Sequence, residues 1–246
     1  MILKIRAGGR RIGDGVTNFS SVNSAKSPPE TVIVDVGAGK GQYRKPLRRG
    51  RYIGVDFVAY DGVAIVTDIV AGLPLPDESA DVVVLSNVLE HIPEPRAVLA
   101  HCHRILRPGG KVLILVPFFI KIHQEPYDYL RYTHFMLRYV LGREGFEKVR
   151  VDPSGNIVDV MQKVETGFFR TAKASVRYRS RSASRILRVD LLLKALGYAY
   201  VAALRIVARG IFFATRAVTD PALRTGKDWY AEGYGAVGYK RAENGK

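Results

Sequence analysis

One cysteine, Cys102, stands in 246 residues, so no disulfide can form within the chain and a cysteine-ligated zinc site is excluded. A lone thiol fits a reducing compartment. Acids are also scarce, 23 against 38 Lys and Arg, for a net charge of +15. Long apolar runs are missing too. The longest uncharged stretch of the C-terminal apolar region is Ala195–Leu204, well below the ~20 residues that span a bilayer. The N-terminus lacks a secretory pattern, because Lys4, Arg6, Arg10 and Arg11 follow only a few apolar residues. What remains is the balance of a globular protein, 47% hydrophobic and 25% charged. The length suits one α/β domain and is short for two.

The charge is uneven. Residues 166–216 hold eleven Lys or Arg and one acid, Asp190, a net of +10. A local basic block points to an anionic partner. The organisation expected is a flexible basic arm over 1–30, a core over 31–155, a basic helical insertion over 156–228, and a final strand with tail over 229–246.

Five apolar, β-branched runs read as buried parallel strands: 31–36, 52–56, 63–67, 81–86 and 111–117. Continuous rather than alternating apolarity is expected where helices cover both sheet faces. Helical spacing of Val98, Leu99, Cys102, Ile105 and Leu106 gives a helix from Pro95 that Arg107-Pro108-Gly109-Gly110 stops. A second helix runs from an N-capping Thr133 to about Glu144. Residues 146–151 and 233–240 complete a seven-stranded sheet. Strands alternating with helices give an α/β fold of mostly parallel sheet, with a helical insertion before the last strand.

Glycines 37, 39 and 41 follow the first strand, and Asp56 ends the second. Glycine lets a ligand approach the main chain, and a carboxylate at the second strand's end can accept from both ribose hydroxyls. A dinucleotide fingerprint needs glycine at the first, third and sixth positions, and the sixth here is Gln42. No helix-length segment separates the second and third strands.

Five ordered segments carry a resemblance. They are Val32–Gly41, Gly54-Val55-Asp56, Thr67-Asp68-Ile69 with Leu73-Pro74, Ser86–Pro93, and Leu106–Gly110. Together they resemble the class I S-adenosylmethionine-dependent methyltransferases, type 11 subfamily. The resemblance implies a Rossmann-like fold and S-adenosyl-L-methionine as cofactor. By position it implies that Gly37, Ala38, Gly39 and Gly41 line the methionine half, with Asp35 supporting the loop and the amino group. Asp56 would hold the ribose, Asp68 and Ile69 would flank the adenine, and Ser86 and Asn87 would lie beneath the sulfonium.

The stretch His123–Thr133 packs one His, two acids, one Arg and three Tyr into eleven residues. It resembles a pattern in type 11 members linked to bacterial glycan assembly. His123 is the candidate general base, since imidazole titrates near neutral pH. Arg131 either pairs with Asp128 or clamps an anionic acceptor. The alternative is that these groups only orient the following helix. For Glu90-His91 packing and capping are expected, and His101 and His103 diverge on their helix as surface residues. No metal site is expected.

In the insertion, Asp190, Lys194, Arg205, Arg209 and Arg216 cluster on one helical face, with Leu192, Leu196, Tyr200, Ile206, Phe212 and Phe213 opposite. Three uses compete: a cap or dimer face, contact with an anionic membrane, and RNA binding, in that order. The expected protein is cytoplasmic, at the membrane's inner face if the second use holds. It would O-methylate a glycan, glycolipid or small-molecule hydroxyl. The rivals are an RNA or protein methyltransferase and a non-catalytic binding module of the same fold.

Overall fold

The computed structural model describes residues 31–41, 43–44, 50–155, 159–161, 163–167, 196–200, 202–207, 209–211, 214 and 231–242. The first unit, Met1–Ser154 with Ala231–Lys246, contains a seven-stranded sheet, and Gly155–Tyr230 form a second unit.

The strands are β1 (Val32–Val36), β2 (Arg51–Asp56), β3 (Ile65–Val66), β4 (Ala80–Ser86), β5 (Leu106–Pro117), β6 (Glu147–Ser154) and β7 (Gly233–Tyr239). Their order is β3-β2-β1-β4-β5-β7-β6. Strands β1 to β5 run parallel. Strand β7 enters antiparallel between β5 and β6. The order reverses between β1 and β4. Loops leaving these neighbours diverge to opposite faces and open a crevice at the carboxyl ends, the ligand position of open α/β sheets.

The apolar runs are buried as their patterns require. Val34, Val36, Val83, Leu85, Val112 and Ile114 belong to the main core, with Leu99, Ile105, Leu137 and Leu141 from the helices. Their pleat neighbours Ile33, Val82, Val84 and Leu113 point to the other face and pack with Tyr43, Tyr52 and Tyr239.

Helix α1 (Pro95–Ile105) starts with proline at its first position, where no backbone donor is needed. Helix α2 (His134–Arg143) is capped by Thr133, whose side chain accepts from Met136 N. Gly145 follows in the left-handed region, at φ 85°.

Three strands differ most from the sequence expectation. Strand β3 shrinks to Ile65–Val66, because only Val55 and Asp56 offer it partners. Strand β5 starts at Leu106, before the Arg107–Gly110 segment expected to be a loop. Leu106 already pairs with Ala80, and Arg107 ion-pairs with Asp81 at 2.7 Å. Strand β6 begins and ends later, at Glu147 and Ser154. His103 is not a free surface residue: its ring meets Phe146 edge-on, centroids 5.0 Å apart.

In the second unit, residues 159–161, 163–167, 196–200, 202–207, 209–211 and 214 are helical. Arg205 lies 3.5 Å from Glu165. Leu196, Tyr200 and Ile206, expected on one apolar face, are 57%, 66% and 72% exposed. The basic run 170–188, with Asp190, Leu192, Lys194, Phe212, Phe213 and Arg216, lies outside the described residues, as do the 1–30 arm and Gln42.

Candidate functional site

The loop after β1 is built from backbone. Gly37 has φ 75°, and a Cβ there would lie 2.4 Å from Val88 Cγ2, so only glycine fits. Gly39 and Gly41 also take positive φ, 52° and 67°. Gly37 N and Ala38 N both donate to Val55 O, at 2.8 and 3.0 Å. Gly39 N donates to Asp56 Oδ2 at 2.7 Å, while Val58 N donates to Asp56 Oδ1 at 3.0 Å. Asp56 is buried. It therefore ties the glycine loop to the end of β2. Each oxygen has one donor, and a carboxylate offers about four acceptor sites, so capacity for two hydroxyls remains.

Asp35 is buried in β1 and accepts from Tyr52 OH at 2.6 Å. Burial raises its pKa to about 6, against the Tyr52 hydrogen bond, and the nearby Asp56 charge adds to the rise. Such a carboxyl is relieved by a cation. Ser86, at the end of β4, shares a 2.7 Å hydrogen bond with Tyr43 OH. Asn87 takes φ 54°, and its N donates to Leu115 O at 2.9 Å. Asp68 is exposed and accepts from Val70 N, while Ile69 packs against the main core. Thr67 N donates to Asp56 O at 2.9 Å, so this segment joins Asp56. Phe57, 77% exposed directly after Asp56, escaped the sequence reading. Its only signal is an aromatic residue next to the strand-ending acid.

The stretch after β5 is built from side chains. Asp128 is its hub. Its Oδ1 accepts from Arg131 Nη1 at 2.5 Å, and its Oδ2 accepts from Arg131 Nη2 and from His123 N, both at 2.8 Å. Arg131 holds the Asp128 carboxyl well below the usual carboxylate range. His123 Nδ1 lies 3.1 Å from Asp128 Oδ2. The sequence-predicted trio His123, Asp128 and Arg131 thus forms one cluster. Of its two expected uses, Arg131 takes the pairing with Asp128.

Glu90 joins this cluster unforeseen. Its residue is 0% exposed, and neither carboxylate oxygen has a hydrogen-bond partner. Burial, above all, pushes its pKa up to about 7. Tyr129 N and Leu130 N both donate to Glu90 O. Tyr132 OH reaches Leu89 O at 3.2 Å. These bonds strap the 127–132 segment over the Leu89–His91 turn. His91 shares a 2.7 Å contact between Nδ1 and Tyr127 O, and burial lowers its pKa.

Beside this cluster lies an open cleft of about 380 Å³. Phe118, Phe119, Ile120 and Ile122 give it apolar walls, and Tyr129, Asp128 and Arg131 close its polar side.

Residues 34–114 match a family model described as a methyltransferase domain. Over 97 residues the chain is 36% identical to a "Probable S-adenosylmethionine-dependent methyltransferase" of Mycolicibacterium smegmatis, covering 35% of this chain and 37% of that protein. Over 53 residues it is 43% identical to a ubiquinone biosynthesis O-methyltransferase of Pseudomonas syringae, 22% of this chain and 21% of that one. The chain thus spans about a third of the first relative's length and a fifth of the second's. The structure resembles a SAM-dependent methyltransferase from Archaeoglobus fulgidus with a TM-score of 0.50, at 16% identity over 86% of each chain. With the glycine loop at the sheet's switch point, these matches make this a Rossmann-like fold of the kind shared by S-adenosylmethionine-dependent methyltransferases.

Proposed function

We propose that the protein transfers a methyl group from S-adenosylmethionine to a hydroxyl of a glycan, glycolipid or related small molecule. The observation that carries the reading is the arrangement of two built sites at the sheet's carboxyl end: a glycine loop pinned to Asp56, and a His–Asp–Arg cluster beside an apolar cleft. In the first, Gly37, Ala38, Gly39 and Gly41 approach the methionine half and Asp35 faces its ammonium. Asp56 accepts from the ribose hydroxyls. Asp68 and Ile69 flank the adenine, Phe57 offers it a flat apolar surface, and Ser86 and Asn87 lie under the sulfonium.

The sulfonium is already an activated leaving group, so the protein must mainly align it with the acceptor and take a proton. As the new C–O bond forms and the S–CH₃ bond breaks, S-adenosylhomocysteine leaves and the hydroxyl proton passes to the His123 imidazole. Asp128 orients that imidazole and stabilises its charged form, while Arg131 fixes Asp128. Oxygen as acceptor atom agrees with the ubiquinone-pathway relative being an O-methyltransferase. The glycan class rests on the resemblance of the His123–Thr133 stretch.

The unit Gly155–Tyr230 corresponds to the basic insertion read over 156–228, and we assign it a surface contact. Leu196, Tyr200, Ile206, Val207 and Ile211 are exposed, an apolar surface suited to contact with an anionic membrane or a second copy. No helix among the described residues is long and apolar enough to cross a membrane. Incubation with methyl-labelled S-adenosylmethionine and glycolipid or polysaccharide fractions should put label on an ether oxygen; label only in RNA or protein would overturn the acceptor class. Anionic liposomes should sediment the protein at low salt and neutral ones much less, with Arg205, Arg209 and Arg216→Glu weakening that binding. Binding blind to lipid charge, or none with a stable dimer, would favour the dimer face.

A further inference from the structure

Glu90 poses a problem that methyl transfer does not solve. A buried carboxylate without a hydrogen-bond donor is costly, and such groups call for an explanation such as an ion. Its neighbours do not supply donors. His91 Nε2 lies 3.6 Å from Glu90 Oε1 and His123 Nε2 lies 3.9 Å from it, both too long for hydrogen bonds. His91 Nε2 has no partner of its own.

We propose that Glu90, His91 and His123 form a binding site for a divalent transition cation of the zinc type. One ligand atom from each lies within 4.8 Å of the other two. Tetrahedral ligands about 2.0–2.1 Å from zinc stand about 3.3 Å apart, so the two Glu90 pairs, at 3.6 and 3.9 Å, are near that spacing and the widest pair closes by rotation of the two rings. Two imidazoles and one carboxylate are donors that such cations prefer, and three protein ligands leave a position open.

The surroundings fit as well. Metal-bound imidazoles have their other ring nitrogen held by a carbonyl or carboxylate, which fixes the ring and the tautomer. His91 Nδ1 meets Tyr127 O at 2.7 Å, while His123 Nδ1 lies 3.1 Å from Asp128 Oδ2 without a hydrogen bond between them. Both Nε2 atoms are thereby left toward Glu90. One second-sphere hydrogen bond, a carboxylate 3.1 Å from the other ring and an unpartnered buried carboxylate make this more than a chance gathering. Among the described residues no other such group occurs.

The inference rests on the proposed active centre only through His123. A cation on Nε2 withdraws that imidazole from proton transfer and would itself acidify a hydroxyl at the open position. The metal-free and loaded proteins would then activate the acceptor differently.

The test needs no turnover. Untagged full-length protein is stripped with a chelator and titrated calorimetrically with Zn²⁺, and separately with Co²⁺ under visible absorption. One ion per chain should bind at micromolar or lower concentration, with Co²⁺ bands of low-coordinate geometry. Glu90→Gln and His91→Gln should each weaken binding at least about 10-fold while retaining S-adenosylhomocysteine affinity, which verifies their fold. Absence of stoichiometric binding, or binding that both variants keep, would overturn the site. Absence of binding leaves the proposed base role of His123 untouched, since that role is read separately from turnover, whereas stoichiometric binding confines it to the metal-free protein.

Discussion

The loops after β1 and after β5 solve opposite problems. Around Gly37–Gly41 the carboxylate is served by main-chain donors: Gly39 N and Val58 N on Asp56. Around His123 charged side chains meet one another as well as the main chain, and one carboxylate, Glu90, has no donor. The first loop is shaped before any ligand arrives. A cofactor common to many acceptors suits such a rigid cradle. The second presents titratable groups beside an apolar cleft, where the proposed function puts substrate choice and proton transfer. Changes in one loop should therefore leave the other's readout alone.

Gly37→Val should have the largest effect. The added side chain starts from a Cβ 2.4 Å from Val88 Cγ2, on a backbone at φ 75°. Strain and overpacking together amount to about 3 kcal/mol or more. Thermal unfolding should fall accordingly, and S-adenosylhomocysteine affinity by at least about 100-fold. Retained affinity would mean that the cofactor does not use this loop.

His123→Ala breaks the other side. Turnover should drop by about 10²-fold, with cofactor affinity unchanged. Unaltered turnover would make the His123–Asp128 pair a scaffold for α2.

Asp35→Asn sharpens the contrast in a smaller way. The folded chain holds the Asp35 proton to about pH 6, against 3.8 ordinarily. Between these values the folded state binds more protons than the unfolded one, so this group's contribution is lost as pH rises through that window. Each pH unit is worth about 1.4 kcal/mol. The stability difference between Asp35→Asn and the parent should therefore grow in favour of the variant from pH 4 to pH 6, then level off. A difference independent of pH would show that Asp35 is ionised throughout.

The contrast also explains what could be read from sequence. Strands β1, β2 and β4 and the glycine loop were legible because each is written in contiguous residues: β-branched runs, then positions that only glycine tolerates. The start of β5 was not, because Leu106 becomes a strand through Ala80, 26 residues earlier. Glu90 read as a packing residue because its cluster partners lie 33 and 38 residues on. The bonds from Tyr129 N and Leu130 N to Glu90 O, with those of Tyr132 OH to Leu89 O and His91 Nδ1 to Tyr127 O, bring them together. Tyr43 and Tyr52, which hold Ser86 and Asp35, carry no local signal at all. The apolar face around Leu196, Tyr200 and Ile206 was readable as a pattern, yet its exposure depends on what covers it.

The central claim is that the loop pinned by Asp56 receives S-adenosylmethionine and the His123 cluster does not. Calorimetric titration with S-adenosylhomocysteine tests this directly across three proteins. The parent should bind in the micromolar range, about −8 kcal/mol. Asp56→Ala should bind at least about 100-fold more weakly, and His123→Ala as tightly as the parent. Binding of NADH with none of S-adenosylhomocysteine, or an Asp56→Ala variant that binds like the parent, would contradict the account.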